Sequence, residues 1–181
     1  MLVEIEKELL QRALNKKRTI IFPEAGFSER IREASLEIVK LGLANVVLVG
    51  KNEDICKTLS SNDLKNITVV DPNNTQLVDE LANKVYEIRK AKGLTLTEAY
   101  NLCKDPIYFA NAYTACGYAD GIVCGAEVPT ANTLRPALQI IKSKSGLVSS
   151  YFLFSGENSV TDNAFLMGDC GVIEYPTAEQ E

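Results

Sequence analysis

The chain has 181 residues, a hydrophobic content of 46% and a formal net charge of −5. It is long enough to bury one substantial core, and its acidic balance argues against a general surface for nucleic acid or anionic membranes, because those partners select basic patches. No apolar run reaches the ~18 residues that span a bilayer, and the charged N-terminal segment is unlike a secretory signal. We therefore expect a cytoplasmic protein without membrane or nucleic-acid partners.

Histidine is absent, and the five cysteines are scattered without CxxC spacing. The lack of histidine removes Ser-His and Cys-His nucleophile pairs and the commonest transition-metal ligand. The cysteine pattern favours neither a disulfide framework nor a zinc site. We expect no metal ion, and acid–base chemistry would have to use carboxylate, cysteine or lysine side chains, or groups on a segment outside these residues.

Short β-branched runs alternate with helical apolar stripes along the chain. Ser28 is typical of a helix N-cap and Gly42 of a helix end, and Thr95 with Glu98 forms a capping box. The predicted helices cover 2–13, 28–41, 53–59, 77–88 and the segment that follows Thr95. The predicted strands cover 19–22, 46–49, 67–70, 121–124 and 147–154.

This alternation predicts an α/β fold. Continuous apolar strands between helices indicate a mostly parallel sheet covered on both faces, which makes a three-layer α/β/α domain. We place this domain at residues 1–147 and the beginning of a second, incomplete domain at 148–181. The second segment carries apolar side chains that a further domain or a second subunit would cover. These side chains are Phe152, Phe154, Phe165 and Leu166.

The stretch 118–144 combines a buried strand, a Gly-Ala turn and a helix start in an order that suits an anion site. Thr130 and Thr133 offer hydroxyls where the helix begins, and Arg135 adds a permanent charge. Backbone N–H groups, hydroxyls and a guanidinium that converge at a helix start bind phosphate-like anions. The plainer alternative is that the threonines only cap the helix.

Pro136 decides where this helix is predicted to begin. With Thr130 as the N-cap, the proline would fall inside the helix and cost about 3 kcal/mol. With Thr133 as the N-cap, Pro136 occupies the third helical position, where its missing N–H is not needed. We therefore predict Thr133 as the N-cap, with Thr130 in the preceding loop and its hydroxyl directed towards the ligand.

Five segments resemble, in the same order, the phosphate acetyltransferase (phosphotransacetylase) family. The segment 125–144, GAEVPTANTLRPALQIIKSK, is similar to that family's GA-x-x-STA-x-TLRPALQIIK signature. Four further segments are similar to other family motifs: IFPE at 21–24, KGLTLTEA at 92–99, DP with YF at 105–109, and DC with PTAEQ at 169–180. Together they cover nearly the whole chain, and five ordered matches are far more specific than one.

The resemblance implies an activity. This is the reversible transfer of an acetyl group between coenzyme A and phosphate, with acetyl-CoA, phosphate and acetyl phosphate as partners. Coenzyme A is then a substrate, and no cofactor is implied. The resemblance also implies an isocitrate/isopropylmalate dehydrogenase-like architecture, a homodimer, and a chain that forms the N-terminal part of a longer enzyme.

The resemblance further implies roles for individual residues. Arg135 and Arg89 match catalytic arginines of the family's cleft. Thr130, Thr133 and Cys170 match substrate- or phosphate-binding positions. The base that takes the thiol proton of coenzyme A has no counterpart in this chain.

Plainer interpretations exist for several of these positions. Pro129 stands where the family usually has a serine, so one hydroxyl contact to phosphate is expected to be absent. Arg89 also suits a cation near a helix C-terminus, and Cys170 suits a small core residue. Glu24 and Arg30 could line the cleft, although an ordinary surface pair is the more common arrangement.

Three other functions remain open at this level. A phosphate butyryltransferase would share the fold and the phosphate grip and would differ in its acyl pocket. A nicotinamide-dependent dehydrogenase of related architecture would need acidic metal ligands, and no such cluster is visible in the sequence. The third is a non-catalytic half that dimerises or binds ligand without turnover.

Overall fold

The computed structural model describes residues 3–143, 146, 148–156, 164–168 and 177. The chain divides into two compact units. The sheet unit is Lys17–Lys142, and the hairpin unit combines Met1–Lys16 with Ser143–Glu181. The domain boundary after residue 147 stays a prediction.

Helices and strands alternate through most of the chain. The helices are α1 (Glu4–Asn15), α2 (Glu29–Lys40), α3 (Asn52–Ile55), α4 (Thr75–Arg89), α5 (Leu96–Leu102), α6 (Pro106–Ala115) and α7 (Thr130–Ile140). The strands are β1 (Arg18–Phe22), β2 (Ala44–Val49), β3 (Ile67–Val70), β4 (Gly121–Ile122), β5 (Tyr151–Ser155) and β6 (Ala164–Gly168). Short 3-10 turns lie at Asp63–Asn66 and Lys90–Lys92.

The strands of the sheet unit form one parallel sheet in the order β3-β2-β1-β4. Ile20 of β1 lies opposite Val46 of β2 on one side and opposite Gly121 of β4 on the other. Val46 in turn lies opposite Ile67 of β3. The predicted α/β class with a mostly parallel sheet is confirmed.

Helices cover both faces of this sheet. Successive side chains of a strand point to opposite faces, so Ile21 and Phe22 belong to different cores. Ile21 packs with buried residues of α4, α5, α6 and α7, and Phe22 packs with buried residues of α2 and the turns after α3. The three-layer α/β/α arrangement is therefore confirmed.

Local signals account for the ends of several helices. Ser28 accepts a hydrogen bond from the N–H of Ile31, as its N-cap role requires. Thr95 and Glu98 exchange side-chain and backbone hydrogen bonds in a capping box. The chain leaves α4 through Gly93, whose φ of 85° is readily adopted only by glycine.

The hairpin unit contains α1 and the antiparallel pair β5–β6. Helix α1 has no buried residue. The rings of Phe154 and Phe165, which face each other across the hairpin, stack with centroids 4.8 Å apart. Phe152 is 57% exposed and Leu166 is 64% exposed. The predicted exposure of these apolar side chains is confirmed, and what covers them stays a prediction.

Three elements differ from the sequence-based expectation. The helix predicted at 53–59 ends at Ile55 and continues as turns. The strand predicted at 121–124 pairs as a ladder only over its first two residues, although Val123 still donates its N–H to the carbonyl of Ile21. The strand predicted at 147–154 begins at Tyr151 as β5, and Leu147 itself lies outside the described residues. Among the residues described, no helix is long and apolar enough to cross a bilayer.

Candidate functional site

The loops that follow β1 and β4 lie side by side at the point where the strand order of the sheet reverses. β2 and β3 extend the sheet on one side of β1, and β4 lies on the other. After β1 the chain enters α2 on one face, and after β4 it enters α7 on the opposite face. Ligands of open α/β sheets bind in the crevice at such a switch point, outside the carboxyl ends of the strands. The predicted anion segment lies at this edge.

The carboxylate of Glu24 organises the loop after β4. Its Oε2 accepts the N–H groups of Gly125 and Ala126 at 2.8 and 3.0 Å. Its Oε1 accepts those of Glu127 and Val128 at 2.8 and 2.9 Å. Glu24 is completely buried. One side chain from the β1 turn therefore holds four consecutive peptides that lie about a hundred residues away in sequence.

This arrangement shifts the ionisation of Glu24. Burial raises the pKa of the carboxyl, and the four N–H bonds lower it by more, so that the pKa lies below its ordinary value. The charged form is therefore the one that the loop stabilises. The expectation that Glu24 forms an ordinary surface pair with Arg30 is wrong, because the carboxylate points inward to the loop amides.

Arg30 instead pairs with Glu127 at the outer side of the same loop. Its guanidinium donates to the Glu127 carboxylate at 3.0 Å and to the Ala126 carbonyl at 2.7 Å. Ser28 also donates its hydroxyl to Glu127 at 3.0 Å. These hydrogen bonds from Arg30 and Ser28 lower the pKa of Glu127. The loop is thus held by three side chains from the segment that follows β1.

Helix α7 begins earlier than its sequence predicts. Thr130 is its first residue, Pro129 is the N-cap, and Pro136 lies inside the helix. The prediction of Thr133 as the N-cap is therefore wrong. An internal proline costs the helix a hydrogen bond, but the Pro136 ring is buried. That burial offsets the hydrogen bond that the proline nitrogen cannot donate.

The start of α7 exposes free backbone donors. Pro129 has no side-chain oxygen to cap the helix, and its carbonyl accepts the N–H groups of Asn132 and Thr133. The N–H groups of Thr130 and Ala131 have no hydrogen-bond partner among the described residues. Thr133 donates its hydroxyl to the Thr130 carbonyl at 2.8 Å, so that proton is already engaged. The exposed hydroxyl of Thr130 is the better placed of the two for a ligand.

Arg135 lies in the second turn of α7 and lines a cavity of about 280 Å³. Its side chain is exposed and makes no hydrogen bond or ion pair with the described residues. The cavity is bordered by the β1 turn, the start of α6, the loop before α7, and α7 itself. Its other lining residues are Phe27, Asp105, Pro106, Ile107, Tyr108, Val128, Asn132 and Pro136.

The two arginines singled out in the sequence differ from the other four. Arg12, Arg18 and Arg30 form ion pairs with carboxylates, and Arg32 donates to the Ala25 carbonyl and the Thr58 hydroxyl. Arg89 and Arg135 have no such partner within the described part of the chain. The half-buried Arg89 is the last residue of α4 and does not line the Arg135 cavity. The structure thus groups Arg135 with Thr130 and Thr133 on α7 and leaves Arg89 on a separate element.

Burial disfavours the thiolate forms of the described cysteines Cys124 and Cys103. Burial, followed by the charge of Glu24, raises the pKa of the half-buried Cys124 thiol. Burial raises the pKa of Cys103 to about 12. Cys170 lies outside the described residues, so its binding role stays a prediction. Within the described residues, no group of three or more acidic, cysteine or histidine side chains is arranged to hold a metal ion.

The bonding of Glu24 to the loop 125–128 is the feature of this region that the sequence pattern did not identify. A carboxylate directly after a strand was visible, as was a Gly-Ala loop after another strand. What could have connected them is the pairing of β1 with β4, because neighbouring parallel strands bring their following loops together. That pairing could not be read from local sequence.

Comparison with known proteins gives consistent matches over this chain. Residues 4–181 match the family model described as Phosphate acetyl/butaryl transferase. The phosphate acetyltransferase of Acetivibrio thermocellus is 39% identical over 178 residues, which cover 96% of this chain and 53% of the relative. That of Thermoanaerobacterium thermosaccharolyticum is 36% identical over 186 residues, with coverages of 98% and 55%. The crystal structure of a phosphotransacetylase from Streptococcus pyogenes superposes with a TM-score of 0.86 at 34% identity, covering 97% of this chain and 54% of that one. The chain therefore spans about half the length of the curated relatives it matches.

Proposed function

The chain belongs to the phosphate acetyl/butaryl transferase family, and from this we propose that it supplies the phosphate-binding half of a phosphate acetyltransferase. The reaction is the reversible transfer of an acetyl group between coenzyme A and phosphate. The curated relatives carry the name phosphate acetyltransferase at 36–39% identity. That name supports the acetyl group as the transferred unit.

The observation that carries the proposal is the guanidinium of Arg135, which has no partner among the described residues and lies on the same helix as the open start of α7. A guanidinium is always charged and offers paired N–H donors that match phosphate oxygens. The free N–H groups of Thr130 and Ala131 add the partial positive charge of a helix N-terminus. Both donor sets lie at the switch point of the sheet, where a ligand of this fold class binds.

In the proposed reaction the thiolate of coenzyme A attacks the carbonyl carbon of acetyl phosphate. A new C–S bond forms, the C–O bond to phosphate breaks, and phosphate leaves with the electron pair. The thiol proton passes to a base that this chain does not supply in a recognisable motif. Arg135 neutralises the charge that develops on the leaving phosphate, and Thr130 orients it. Arg89 is proposed as a second cation of the cleft, and Cys170 as a substrate contact.

The first test is anion binding by the 181-residue chain. Inorganic phosphate and acetyl phosphate are titrated into the wild-type chain and followed by calorimetry. We expect Arg135→Ala to weaken binding by at least about tenfold, and Arg135→Lys to recover it only in part, because lysine keeps the charge and loses the bidentate fork. Arg12→Ala, which removes an exposed arginine paired within α1, is the matched control. Equal affinity of wild type and Arg135→Ala would overturn the site assignment.

The second test is turnover. In a polypeptide of the relatives' full length that carries this sequence, Arg135→Ala is expected to lower the rate of thioester formation about 10²–10³-fold. The 181-residue chain alone is expected to lack turnover, since loss of a general base costs about 10²–10⁴-fold and loss of half the cleft costs positioning as well. Robust acetyl transfer by the 181-residue chain would refute the proposal that it lacks the general base and half of the cleft. A parallel assay with butyryl phosphate tests the alternative acyl preference.

The proposal extends to the setting of the enzyme. No metal ion or redox cofactor is included, and coenzyme A is a substrate. A homodimer is supported by the exposed apolar side chains of the β5–β6 hairpin, and residues 148–181 are proposed to begin a second domain. A cytoplasmic location fits a reaction whose substrates are coenzyme A and phosphate.

A further inference from the structure

The buried carboxylate of Glu24 has a place in this function that goes beyond holding a loop. We propose that Glu24 is a positioning residue of the phosphate site, because its carboxylate fixes the loop 125–128 and thereby the direction in which α7 presents Thr130 and Arg135. This inference rests on the proposed function of Arg135. Glu24 itself does not touch the phosphate.

The hydrogen bonds of Glu24 lead directly to the start of α7. The last amide that it holds belongs to Val128, and the next residue, Pro129, is the N-cap of the helix. Each carboxylate oxygen accepts two successive N–H groups, so the directions of four peptides are set together. Val128 and Arg135 line the same cavity. A shift of the loop would therefore move one wall of the cavity and the beginning of the helix at once.

Glu24 is in turn fixed at the end of β1. Its carbonyl accepts the N–H groups of Phe27 and Ser28 at 3.1 and 2.8 Å. Gly26 donates its N–H to the Val49 carbonyl at 3.0 Å, and the buried Arg32 donates to the Ala25 carbonyl at 2.7 Å. The turn that carries Glu24 is therefore bound to the neighbouring strand and to α2. A carboxylate on so rigid a base can set the position of what it binds.

The exposure of the loop indicates that Glu24 serves geometry. Gly125, Ala126 and Glu127 are exposed, so water could satisfy their N–H groups without any buried charge. All four amides instead point inward to one carboxylate, at the desolvation cost that a buried charge carries. Gly125 has a φ of 103°, a conformation that side chains rarely adopt and that lets the chain enter this arrangement. Stability alone does not require such an arrangement.

The test compares three variants of the 181-residue chain. Glu24→Gln keeps the size of the side chain but turns an amide NH₂ towards two N–H donors. Glu24→Ala empties the position. Val46→Ala is the control, since Val46 is buried in the first half of β2, away from the carboxyl edge of the sheet. All measurements are made at a temperature at which every variant is folded.

Two readouts separate positioning from simple destabilisation. The first is the set of backbone amide resonances of 125–128, 130 and 131 without ligand, which we expect to shift or broaden in both Glu24 variants and to stay unchanged in Val46→Ala. The second is the affinity for inorganic phosphate, which we expect to fall about tenfold in Glu24→Gln, the order typical of lost supporting contacts, and to stay within about twofold in Val46→Ala. Formate, which can occupy the emptied carboxylate position, should restore the amide resonances in Glu24→Ala and leave Glu24→Gln unchanged.

The outcomes are distinguishable from failure of the proposed function. If wild type binds no phosphate, the proposed function fails and with it the role of Glu24 at a phosphate site, whereas the amide resonances with formate rescue still decide whether Glu24 fixes the loop 125–128 and the start of α7. If the amide resonances of Thr130 and Ala131 are unchanged in Glu24→Gln, or if Val46→Ala weakens phosphate binding as much as Glu24→Gln does, Glu24 is not a positioning residue.

Discussion

The sheet unit and the hairpin unit bury their apolar side chains to very different extents. In the sheet unit, Phe109, Leu81 and Ile21 have no exposed surface, and two cores fill the space on either side of the sheet. In the hairpin unit, α1 has no buried residue and Tyr151 is 71% exposed. Burial of apolar surface is the main favourable term in folding. The sheet unit therefore carries its own source of stability, whereas the hairpin unit presents surface that a partner would cover.

The largest effect expected from this contrast concerns one aromatic residue in each unit. Phe109→Ala should lower the free energy of unfolding by about 3–5 kcal/mol, because it leaves a cavity in a closed core. Phe152→Ala should change it by no more than about 0.5 kcal/mol, because that ring is mostly in solvent. Urea unfolding of the two variants and the wild type measures both values.

The same pair of variants can also contradict the proposed difference in burial between the two units. A cost above about 1 kcal/mol for Phe152→Ala would mean that the hairpin is covered in solution, since a solvent-exposed ring does not contribute that much. Unfolding curves that depend on protein concentration would then identify a second copy of the chain as the cover.

A smaller effect concerns one carboxylate in each unit and its response to acid. Glu24 and Glu6 both have a lowered pKa, Glu24 through four backbone N–H bonds that outweigh burial, and Glu6 through bonds from the Ser155 hydroxyl and the Val3 N–H. A lowered pKa stabilises the folded state above the unfolded pKa of about 4.3 and loses that stabilisation as pH falls through the folded pKa. We expect the free energy of unfolding of the wild type to exceed that of Glu24→Gln by about 2 kcal/mol near neutral pH.

The measurement is urea unfolding of wild type, Glu24→Gln and Glu6→Gln at several pH values. The difference between wild type and Glu24→Gln should stay constant from about pH 8 to 5 and shrink below about pH 4. Glu6→Gln should show a smaller difference with the same sign, because its carboxylate is near solvent. A Glu24 difference that persists at low pH would show that the glutamine NH₂ facing two N–H donors, and not the loss of charge, determines the effect.

The smallest expected effect concerns the helix caps of the two units. Thr95 caps α5 with its hydroxyl, whereas Val3 at the N-cap of α1 has no side-chain oxygen. Thr95→Ala should cost about 1 kcal/mol, and Val3→Ser should gain up to about 1 kcal/mol by completing the box that Glu6 already half forms. Hydrogen exchange of the α5 and α1 amides measures each change locally. Unchanged exchange in α1 would mean that its first turn frays regardless of the cap.

Much of the sheet unit could be predicted from the sequence because its signals are local. Apolar β-branched runs at 46–49 and 67–70 match β2 and β3 closely, and Ser28 and Thr95 cap the helices as expected. The start of α7 was predicted wrongly because Pro136 was weighed as a helix breaker without the core into which its ring packs. Burial of that ring depends on contacts with other elements, which no local pattern contains.

The residues of the candidate site likewise divide into those that local sequence predicts and one whose role depends on distant contacts. Thr130 and Arg135 could be proposed from a strand–turn–helix pattern within about twenty residues of sequence. The role of Glu24 depends on four hydrogen bonds that span 101 to 104 residues. Such bonds require the order of strands in the sheet, which neither hydrophobic period nor turn chemistry specifies.

The four backbone N–H groups that are hydrogen-bonded to Glu24 also affect where an anion can bind. Four consecutive N–H groups that converge on one point form a natural trap for phosphate or sulfate. Here the carboxylate of Glu24 already accepts these N–H groups, so an incoming anion would be repelled by its negative charge. Of the donors described at this edge, the first amides of α7 and the guanidinium of Arg135 remain vacant. Because Glu24 occupies these four N–H groups, an anion at this edge of the described structure is expected to bind at the start of α7.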